Sequence, residues 1–233
     1  TISGTPTYDA TNKAIIFSGD DYVTLPSGFS NFSNGITIAT KVNLGTGDDW
    51  ERIIDFGGPG AAGVLQPQVN NILFARWATS NDLAYQLYNT TSAINYKGSG
   101  AITDNTFANY AAIQNASGIT VYKNGSTVSN ALAATWAVPD NEIRTSNFIG
   151  KSNWVADAML HGSIGMVTIY NRTLSSSEWS ALNTQINRDA TLAASTLTVS
   201  GSGSTTFSGA IKDAGSTVAL VKGGSGTLTL SGT

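Results

Sequence analysis

The sequence predicts an all-β protein, a jelly-roll β-sandwich with one short helix that is followed by the start of a C-terminal β-solenoid. Charged residues make up only 12 % of the 233 residues and glycines number 25, a composition that favours strands and turns over amphipathic helices. Short runs of alternating apolar and polar residues recur along the chain. All five Trp and all eight Tyr lie before residue 188, which indicates a second region of different construction.

Hydrophobic alternation predicts the individual strands. The clearest is residues 35–44, where Ile36, Ile38, Val42 and Leu44 alternate with less apolar residues, as a strand with one buried face requires. Because loops rich in Gly, Pro and Asn separate the runs, successive antiparallel strands that close into a jelly roll are expected. The other predicted strands are residues 14–18, 22–25, 51–57, 72–77, 83–88, 107–114, 118–123 and 126–128.

A two-sided strand is predicted to lead into the helix. In residues 164–170 the even-numbered side chains, among them Ile164 and Met166, share one face, and the odd-numbered side chains share the other. Apolar residues on both faces predict a central strand. Ser175 with Glu178 three residues later forms a capping box, which predicts a helix start.

The composition predicts a domain boundary between residues 1–187 and residues 188–233. The second region is mostly Gly, Ser, Thr, Ala and small aliphatic residues, and its TLTVSG at 196–201 recurs as TLTLSG at 227–232. Such repeats of strand, turn and strand stack into solenoids. A disordered Gly/Ser linker is the alternative, although regularly spaced residues such as Leu197 favour strands. The chain ends just after a strand-like run, so we expect it to continue in a longer protein.

The charge and composition argue against several classes of partner. The net charge is −3 and no block of Lys or Arg occurs, so we expect no nucleic acid or anionic membrane surface as a partner. No apolar run approaches the ~18 residues of a spanning helix, so we expect no direct membrane insertion. The absence of cysteine removes disulfides, thiolate nucleophiles and cysteine-type zinc sites.

Residues 1–187 resemble the laminin-G-like, or concanavalin A-like, jelly-roll domains. The resemblance implies two curved antiparallel sheets and, often, sugar or protein binding with or without calcium, but the fold alone does not fix the ligand. The motifs that carry it are FSGDDYV at 17–23, ITI at 36–38, VYKNG at 121–125, and the closing signature at 149–178 that contains LHGSI and IYNRTLS.

Residues 220–232, LVKGGSGTLTLSG, resemble the passenger-associated repeat of bacterial autotransporters, whose strands build a β-helix outside the outer membrane. The resemblance implies a bacterial cell-surface or secreted protein. It also implies that the jelly roll is carried at the tip of a longer β-helical passenger.

Glycosidases occur among concanavalin A-like folds, and they usually carry two Glu with an Asp between them on one strand. The three Glu of this chain, at 51, 142 and 178, are not spaced two or four positions apart. Glu51 and Asp55 would share a strand face about 13 Å apart, too far for glycoside hydrolysis. The single histidine, His161, is predicted to be a turn residue rather than a catalytic base. We expect no enzymatic activity, with a glycoside-active enzyme as the less favoured alternative.

Two acidic pairs in Gly-flanked loops are candidate ligands for Ca²⁺, the one cofactor that the sequence suggests. Asp20 with Asp21, or Asp48 with Asp49, could supply carboxylate and carbonyl oxygens together. We assign the predicted site to Asp20 and Asp21 because they lie in the family's opening turn. Adjacent acids that form Asx turns are the alternative. Gly165 stands where the family commonly has an acidic residue.

The loop tryptophans are the candidate sugar-binding residues. An aromatic ring stacks on the apolar face of a pyranose, and a few fixed polar groups orient the sugar. Trp154 is favoured because it lies at the tip of a connection between strands, where core packing rarely requires an indole. The predicted ligand-binding set is Trp154, Asn153, Asp157, Trp77, Arg76 and Trp50.

The sequence predicts different roles for the other tryptophans. Trp77 shares one strand face with Leu73 and Ala75, so core packing explains it as well as binding does. Trp136 also lies in a loop. Trp179 directly follows the helix cap and is predicted to pack against the sandwich.

The leading hypothesis is a non-enzymatic recognition module of a bacterial surface protein that binds a glycan or a host or matrix surface, as an adhesin does. The structural alternative is a cap or spacer that shields the first solenoid rung from edge pairing. The enzyme alternative predicts paired carboxylates within reach of each other in a cleft.

Overall fold

The computed structural model describes residues 1–28, 31–57, 70–88, 93–132, 138–191, 195–208 and 218–231. The chain divides into two compact units, Thr1–Asn183 and Thr184–Thr233. Within the described ranges, no helix is long and apolar enough to cross a membrane. Trp136 lies outside the described residues.

Fourteen strands build the described part of the first unit. The helix α1 (Ser176–Thr191) follows the last of them. In chain order the strands are β1 (Ile2–Ser3), β2 (Thr7–Asp9), β3 (Ala14–Ser18), β4 (Tyr22–Leu25), β5 (Ile36–Leu44), β6 (Arg52–Gly57), β7 (Ile72–Arg76), β8 (Leu83–Tyr88), β9 (Ala93–Gly98), β10 (Ala108–Asn115), β11 (Gly118–Lys123), β12 (Ser126–Leu132), β13 (Ser146–Ile149) and β14 (His161–Tyr170).

The strands form two seven-stranded antiparallel sheets. The front sheet has the order β1-β4-β13-β6-β7-β8-β9, and the back sheet has the order β12-β11-β10-β5-β14-β3-β2. Apolar side chains from both sheets, such as Ile54 and Phe74 from the front and Ile38 and Val42 from the back, form one buried core. The predicted all-β jelly-roll sandwich is confirmed.

The interior strand β14 differs from its predicted alternation of faces. A β-bulge lies between Ile164 and Met166, and the extra residue reverses which side chains point inward. Ile164 and Val167 therefore both belong to the core, whereas the sequence predicted that Ile164 shares its face with Met166. Gly165 lies at the bulge, where an added Cβ would come 3.1 Å from Cδ of Lys41.

The predicted capping box opens α1. The backbone N–H of Ser175 donates to Oε2 of Glu178 at 2.8 Å, and the backbone N–H of Glu178 donates to Oγ of Ser175 at 3.3 Å. Trp179 is 2 % exposed, and its ring centroid lies 5.6 Å from that of Tyr122 on β11. Trp179 therefore packs against the sandwich, as predicted.

The described part of the second unit contains two parallel strand pairs. β15 (Ser195–Ser200) pairs with β17 (Val218–Gly223), and β16 (Thr205–Phe207) pairs with β18 (Leu228–Leu230). Leu197 pairs with Leu220 and Thr205 with Leu228, so both ladders join residues 23 positions apart. This register differs from the sequence repeat, which aligned residues 196–201 with residues 227–232.

Candidate functional site

The outer face of the front sheet carries aligned rows of side chains on four neighbouring strands. This face lies opposite the core, because Leu73 and Ala75 alternate with the core residue Phe74 along β7. A bulge between Arg52 and Ile54 brings Arg52 and Asp55 of β6 to the same outer face. The strand register gives two rows: Arg52, Ala75, Ala84 and Lys97, and then Asp55, Leu73, Gln86 and Asn95.

Four aromatic side chains cover the apolar centre of this face. They pack on Leu73, Ala75 and Ala84, which are fully buried although they point away from the core. The ring centroids of Trp50 and Trp77 lie 5.1 Å apart, and those of Tyr88 and Trp154 lie 5.2 Å apart. We call Trp50, Trp77, Tyr88 and Trp154 the aromatic platform.

A shallow depression opens beside the aromatic platform. Its volume is about 180 Å³, which is smaller than the ~300–1,000 Å³ of pockets that enclose a ligand. It therefore offers an open aromatic surface with a few polar groups at its edge. The lining residues are Trp50, Arg52, Gln86, Tyr88, Trp154 and Asp157.

Arg52 is the cation at the base of the depression. Its guanidinium carbon lies 5.7 Å from the ring centroid of Trp50 and 5.4 Å from that of Trp154. Its Nη1 donates to the carbonyl of Trp50 at 2.7 Å, its Nε to Asp55 at 3.3 Å, and its Nη2 to Asp157 at 2.5 Å. Arg52 is 2 % exposed, so the guanidinium is held between the two rings rather than offered to solvent.

Asp157 supplies the carboxylate that lines the depression. Its Oδ2 accepts hydrogen bonds from Arg52 and from Oγ of Ser152, whereas no described residue donates to its Oδ1. Burial raises the pKa of Asp157, and the charge of Arg52 opposes this effect. Among the described residues that line the depression, Asp157 is the one carboxylate.

Asn153 anchors the loop of Trp154 to β6 through hydrogen bonds to Asp55. Its backbone N–H and its side-chain Nδ2 both donate to Asp55, at 3.1 and 2.9 Å, and its Oδ1 accepts from Oγ of Ser146. Asp55 is fully buried and also accepts from Asn71. The polar atoms of Asn153 are therefore used within the fold, and Asn153 does not line the depression.

Gln86 and Tyr88 belong to the depression, and sequence reasoning missed both. Nε2 of Gln86 donates to Oδ1 of Asn95 at 2.7 Å, and its Oε1 lies 3.4 Å from the hydroxyl of Tyr88. Burial raises the pKa of Tyr88, so the hydroxyl stays a donor. The signal that could have found them is the alternation within β8, which puts Ala84, Gln86 and Tyr88 on one face.

Arg76 lies away from the aromatic platform. It is fully buried and points to the opposite side of β7 from Ala75, where it donates to the carbonyl of Gly45 at 2.7 Å and to Asp104 at 3.0 Å. Its Nε lies 3.8 Å from Glu51. Arg76 therefore ties the loops at one end of the sandwich together, and the structure does not bring it to Trp154.

Glu51 and Asp55 do not share a strand face, contrary to the sequence expectation. Glu51 contacts Arg76 on the inner side, whereas Asp55 contacts Arg52 on the outer side. The bulge in β6 breaks the alternation on which the expectation depended. Burial raises the pKa of Glu51 to about 7, against the charge of Arg76.

The predicted calcium ligands Asp20 and Asp21 lie in the turn between β3 and β4. Asp21 is fully buried and accepts hydrogen bonds from the backbone N–H of Thr5 and from both N–H and Oγ of Ser18. These bonds lower the pKa of Asp21. In the described ranges, no three His, Cys, Asp or Glu side chains are grouped so that they could hold a metal ion. The hydrogen bonds of Asp21 fit the alternative of an aspartate that stabilises the turn. Calcium binding stays a prediction.

A known protein family matches most of the sandwich. Residues 17–178 match the Laminin_G_3 profile, described as the concanavalin A-like lectin/glucanases superfamily. The chain belongs to this superfamily. The match spans every strand from β4 to β14, and it therefore includes the strands and loops that carry the aromatic platform. No curated protein gives a sequence match to this superfamily member.

Several solved structures share the superfamily fold with this chain. Domain 4 of AbnA, a GH43 extracellular arabinanase from Geobacillus stearothermophilus in complex with arabinotriose, is 18 % identical with a TM-score of 0.59; the match covers 78 % of this chain and 87 % of that domain. The CBM40 of the Ruminococcus gnavus IT-sialidase, bound to α2,3 sialyllactose, is 12 % identical with a TM-score of 0.55. The match covers 70 % of this chain and 95 % of that module.

A part of a larger enzyme also matches. A leech intramolecular trans-sialidase is 13 % identical with a TM-score of 0.52, and the match covers 67 % of this chain but 26 % of the enzyme. At these identities the likeness concerns the fold. The two neighbours that match over most of their length, the arabinanase domain and the CBM40, were solved with bound oligosaccharides, arabinotriose and sialyllactose respectively.

Proposed function

We propose that the first unit is a carbohydrate-binding module and that the aromatic platform is its sugar site. The observation that carries the proposal is the placement of the Tyr88 and Trp154 rings beside the carboxylate of Asp157 in one open depression. A sugar ring would stack on an exposed aromatic face, and one of its hydroxyls would donate to Oδ1 of Asp157. Among the solved neighbours, the oligosaccharide-bound arabinanase domain and CBM40 support the same function.

We also propose that this module is not an enzyme. Glycoside hydrolysis generally requires two carboxyl groups that reach the scissile bond. Asp157 lines the depression, whereas the nearby Asp55 is fully buried and bonded to Arg52, Asn71 and Asn153. A site with one accessible carboxylate supports recognition rather than hydrolysis.

The test is a glycan array followed by calorimetric titration of the best oligosaccharide. Trp154→Ala should weaken that binding by about tenfold or more, which corresponds to ~1.4 kcal/mol. Tyr8→Ala is the matched control, because Tyr8 is a 65 % exposed aromatic residue on the back sheet. An array without any bound glycan, or an unchanged affinity of Trp154→Ala, would contradict the proposal.

We further propose that the second unit begins the β-solenoid of an exported bacterial adhesin. The parallel ladders support this, because parallel in-register strands at a fixed 23-residue offset are typical of solenoid rungs. The turns also stack closely. An added Cβ at Gly224 would come 2.3 Å from the carbonyl oxygen of Gly201, and one at Gly226 would come 2.0 Å from that of Gly203.

Surface labelling tests this location. Antibodies against the folded module should stain intact cells of the source bacterium, and protease added outside the cells should remove the stain. Staining only after permeabilisation would contradict export. The role of the module as a cap or spacer for the solenoid stays a prediction, and a version without residues 1–187 that aggregates would favour it.

A further inference from the structure

The cations near the aromatic platform are already paired. Arg52 uses Nε, Nη1 and Nη2 for Asp55, the carbonyl of Trp50 and Asp157, and its side chain is 3 % exposed. Lys97 lies over the ring of Trp77 and donates to Asp82 at 2.7 Å. Arg52 is therefore not offered to a ligand, and Lys97, whose side chain is 44 % exposed, does not line the depression.

The next cation on this face belongs to another cluster. Nζ of Lys151 lies 4.1 Å from the ring centroid of Tyr22 and 4.9 Å from that of Phe148. Phe148 lies on β13, beyond β6 as seen from β7 and β8. Lys151 does not line the depression, so it does not change the charge that a bound sugar meets there.

The charged group that a ligand in the depression meets is instead the carboxylate of Asp157. Oδ1 of Asp157 receives no hydrogen bond from the described residues, and Oδ2 is shared by Arg52 and Ser152. Burial is the largest cause of the raised pKa of Asp157, and the charges of Asp55 and Asp49 add to it. Negative charge at the depression is therefore compensated only in part by Arg52.

A neutral sugar and an acidic sugar meet this arrangement differently. A hydroxyl can donate a hydrogen bond to the free oxygen of Asp157, and the carboxylate then accepts it as a charge-assisted bond. A sugar carboxylate has no proton to donate and requires a cation or an N–H or O–H donor. It would face Asp157 at short range, and like charges in a partly buried site repel more strongly than in water.

We propose that the aromatic platform selects neutral oligosaccharides and rejects sugars that carry a carboxylate, such as sialic and uronic acids; this rests on the proposed sugar-binding function. The specificity-determining residue is Asp157. Arg52 is paired with Asp157 and is therefore not available to a sugar carboxylate. The site would thus be suited to a neutral ligand such as the arabinotriose of the arabinanase domain, rather than to the sialyllactose of the CBM40 neighbour.

The test compares neutral and acidic sugars in matched pairs at low ionic strength. The probes are lactose against 3′-sialyllactose, and α1,4-linked galactotriose against trigalacturonic acid, each titrated into the full chain. At least one neutral member should bind, and its acidic partner should bind roughly tenfold more weakly or not at all. High salt should narrow the difference, because salt screens charge repulsion.

Asp157→Asn examines the assigned residue. The amide keeps the shape and one acceptor oxygen for Arg52 but removes the negative charge, so the preference for the neutral sugar should fall by about threefold or more. Asp140→Asn changes the net charge equally at an exposed position outside the depression, and it should keep the preference. A circular dichroism melt establishes that each variant is folded.

The outcomes separate the two proposals. Equal or tighter binding of the acidic sugars by the wild-type chain would overturn the inference and still support a sugar-binding module. Binding of neither class, together with an empty glycan array, would overturn the proposed function and the inference with it. An unchanged preference in a folded Asp157→Asn variant would overturn the assignment of Asp157.

Discussion

The guanidinium of Arg52 donates a hydrogen bond from Nη2 to Oδ2 of Asp157, across 105 positions of sequence. This bond joins β6 to the loop that carries Trp154. A second connection runs beside it, because the backbone N–H of Ala158 donates to the carbonyl of Asp49 at 2.9 Å. The loops of Trp50 and Trp154 are thereby held against each other, and Arg52 lies between their rings.

The first prediction concerns the removal of this cation. Arg52→Met keeps most of the side-chain length but leaves Asp55 and Asp157 without their shared partner in a buried site. Loss of one partner of a buried ion pair typically costs ~3–5 kcal/mol, so the free energy of unfolding in urea should fall by roughly that amount. The tryptophan signals in near-ultraviolet circular dichroism should also change.

Arg172→Met is the matched control for Arg52→Met. Arg172 pairs with Glu178 while both side chains remain well exposed, at 48 % and 44 %, and such surface pairs contribute only ~0–1 kcal/mol. Similar losses of stability in the two variants would contradict the assignment of Arg52 as the organising cation of the platform.

The second prediction concerns the turn of Asp21. Its three hydrogen bonds come from the protein groups of Thr5 and Ser18, so Asp21→Ala should lower the melting temperature both in EDTA and in millimolar calcium. Asp20→Ala should have a smaller effect, because Asp20 accepts a bond from Ser18 at an exposed position. A wild-type melting temperature that rises with calcium, and a rise that Asp20→Ala abolishes, would instead establish the predicted metal site.

The third prediction concerns the start of α1. Ser175→Ala removes the acceptor for the N–H of Glu178, and loss of such a cap costs ~1 kcal/mol. Ser175→Asn should restore most of the stability, because Asn is an equally good cap. Chemical denaturation of the three proteins measures this, and equal stability of wild type and Ser175→Ala would show that the cap is not needed.

The sandwich strands could be predicted because each alternation is a local property of the sequence. Residues 14–18, 22–25, 83–88 and 118–123 were predicted to the residue. The two- and three-residue strands β1 and β2 are too short to show a period. β9 was missed because Ile94 and Tyr96, on either side of Asn95, are its only two large inward residues, and two residues are too few to establish an alternation.

The binding site could be predicted only in part, because it depends on which strands are neighbours. Residue type identified Trp50, Trp77 and Trp154, but their meeting depends on the order β6-β7-β8 and on the Trp154 loop. Arg52 and Arg76 look alike in the sequence. The bulge in β6 turns Arg52 outward, whereas Arg76 points inward because it follows the outward-facing Ala75 on β7. Neither orientation can be derived from the spacing of residues alone.

The last prediction concerns the pH dependence that Glu51 creates. Burial raises the pKa of Glu51 from 4.5 to about 7 in the folded chain. The folded state therefore binds this proton more tightly than the unfolded state, so the free energy of unfolding decreases as the pH rises from about 4.5 to 7 and changes no further above that window. The loss should amount to about 3 kcal/mol.

Glu51→Gln should remove this dependence, because the amide resembles the protonated carboxyl at every pH. The variant should match the wild type near pH 4 and exceed its stability above pH 7, as urea titrations across this range would measure. Glu178→Gln is the control with the opposite sign: Arg172 and Ser175 lower the pKa of Glu178 to about 2, so its contribution is lost as the pH falls below 4.5. A Glu51→Gln variant that is less stable than the wild type at pH 8 would show that the charged Glu51–Arg76 pair stabilises the fold despite its burial.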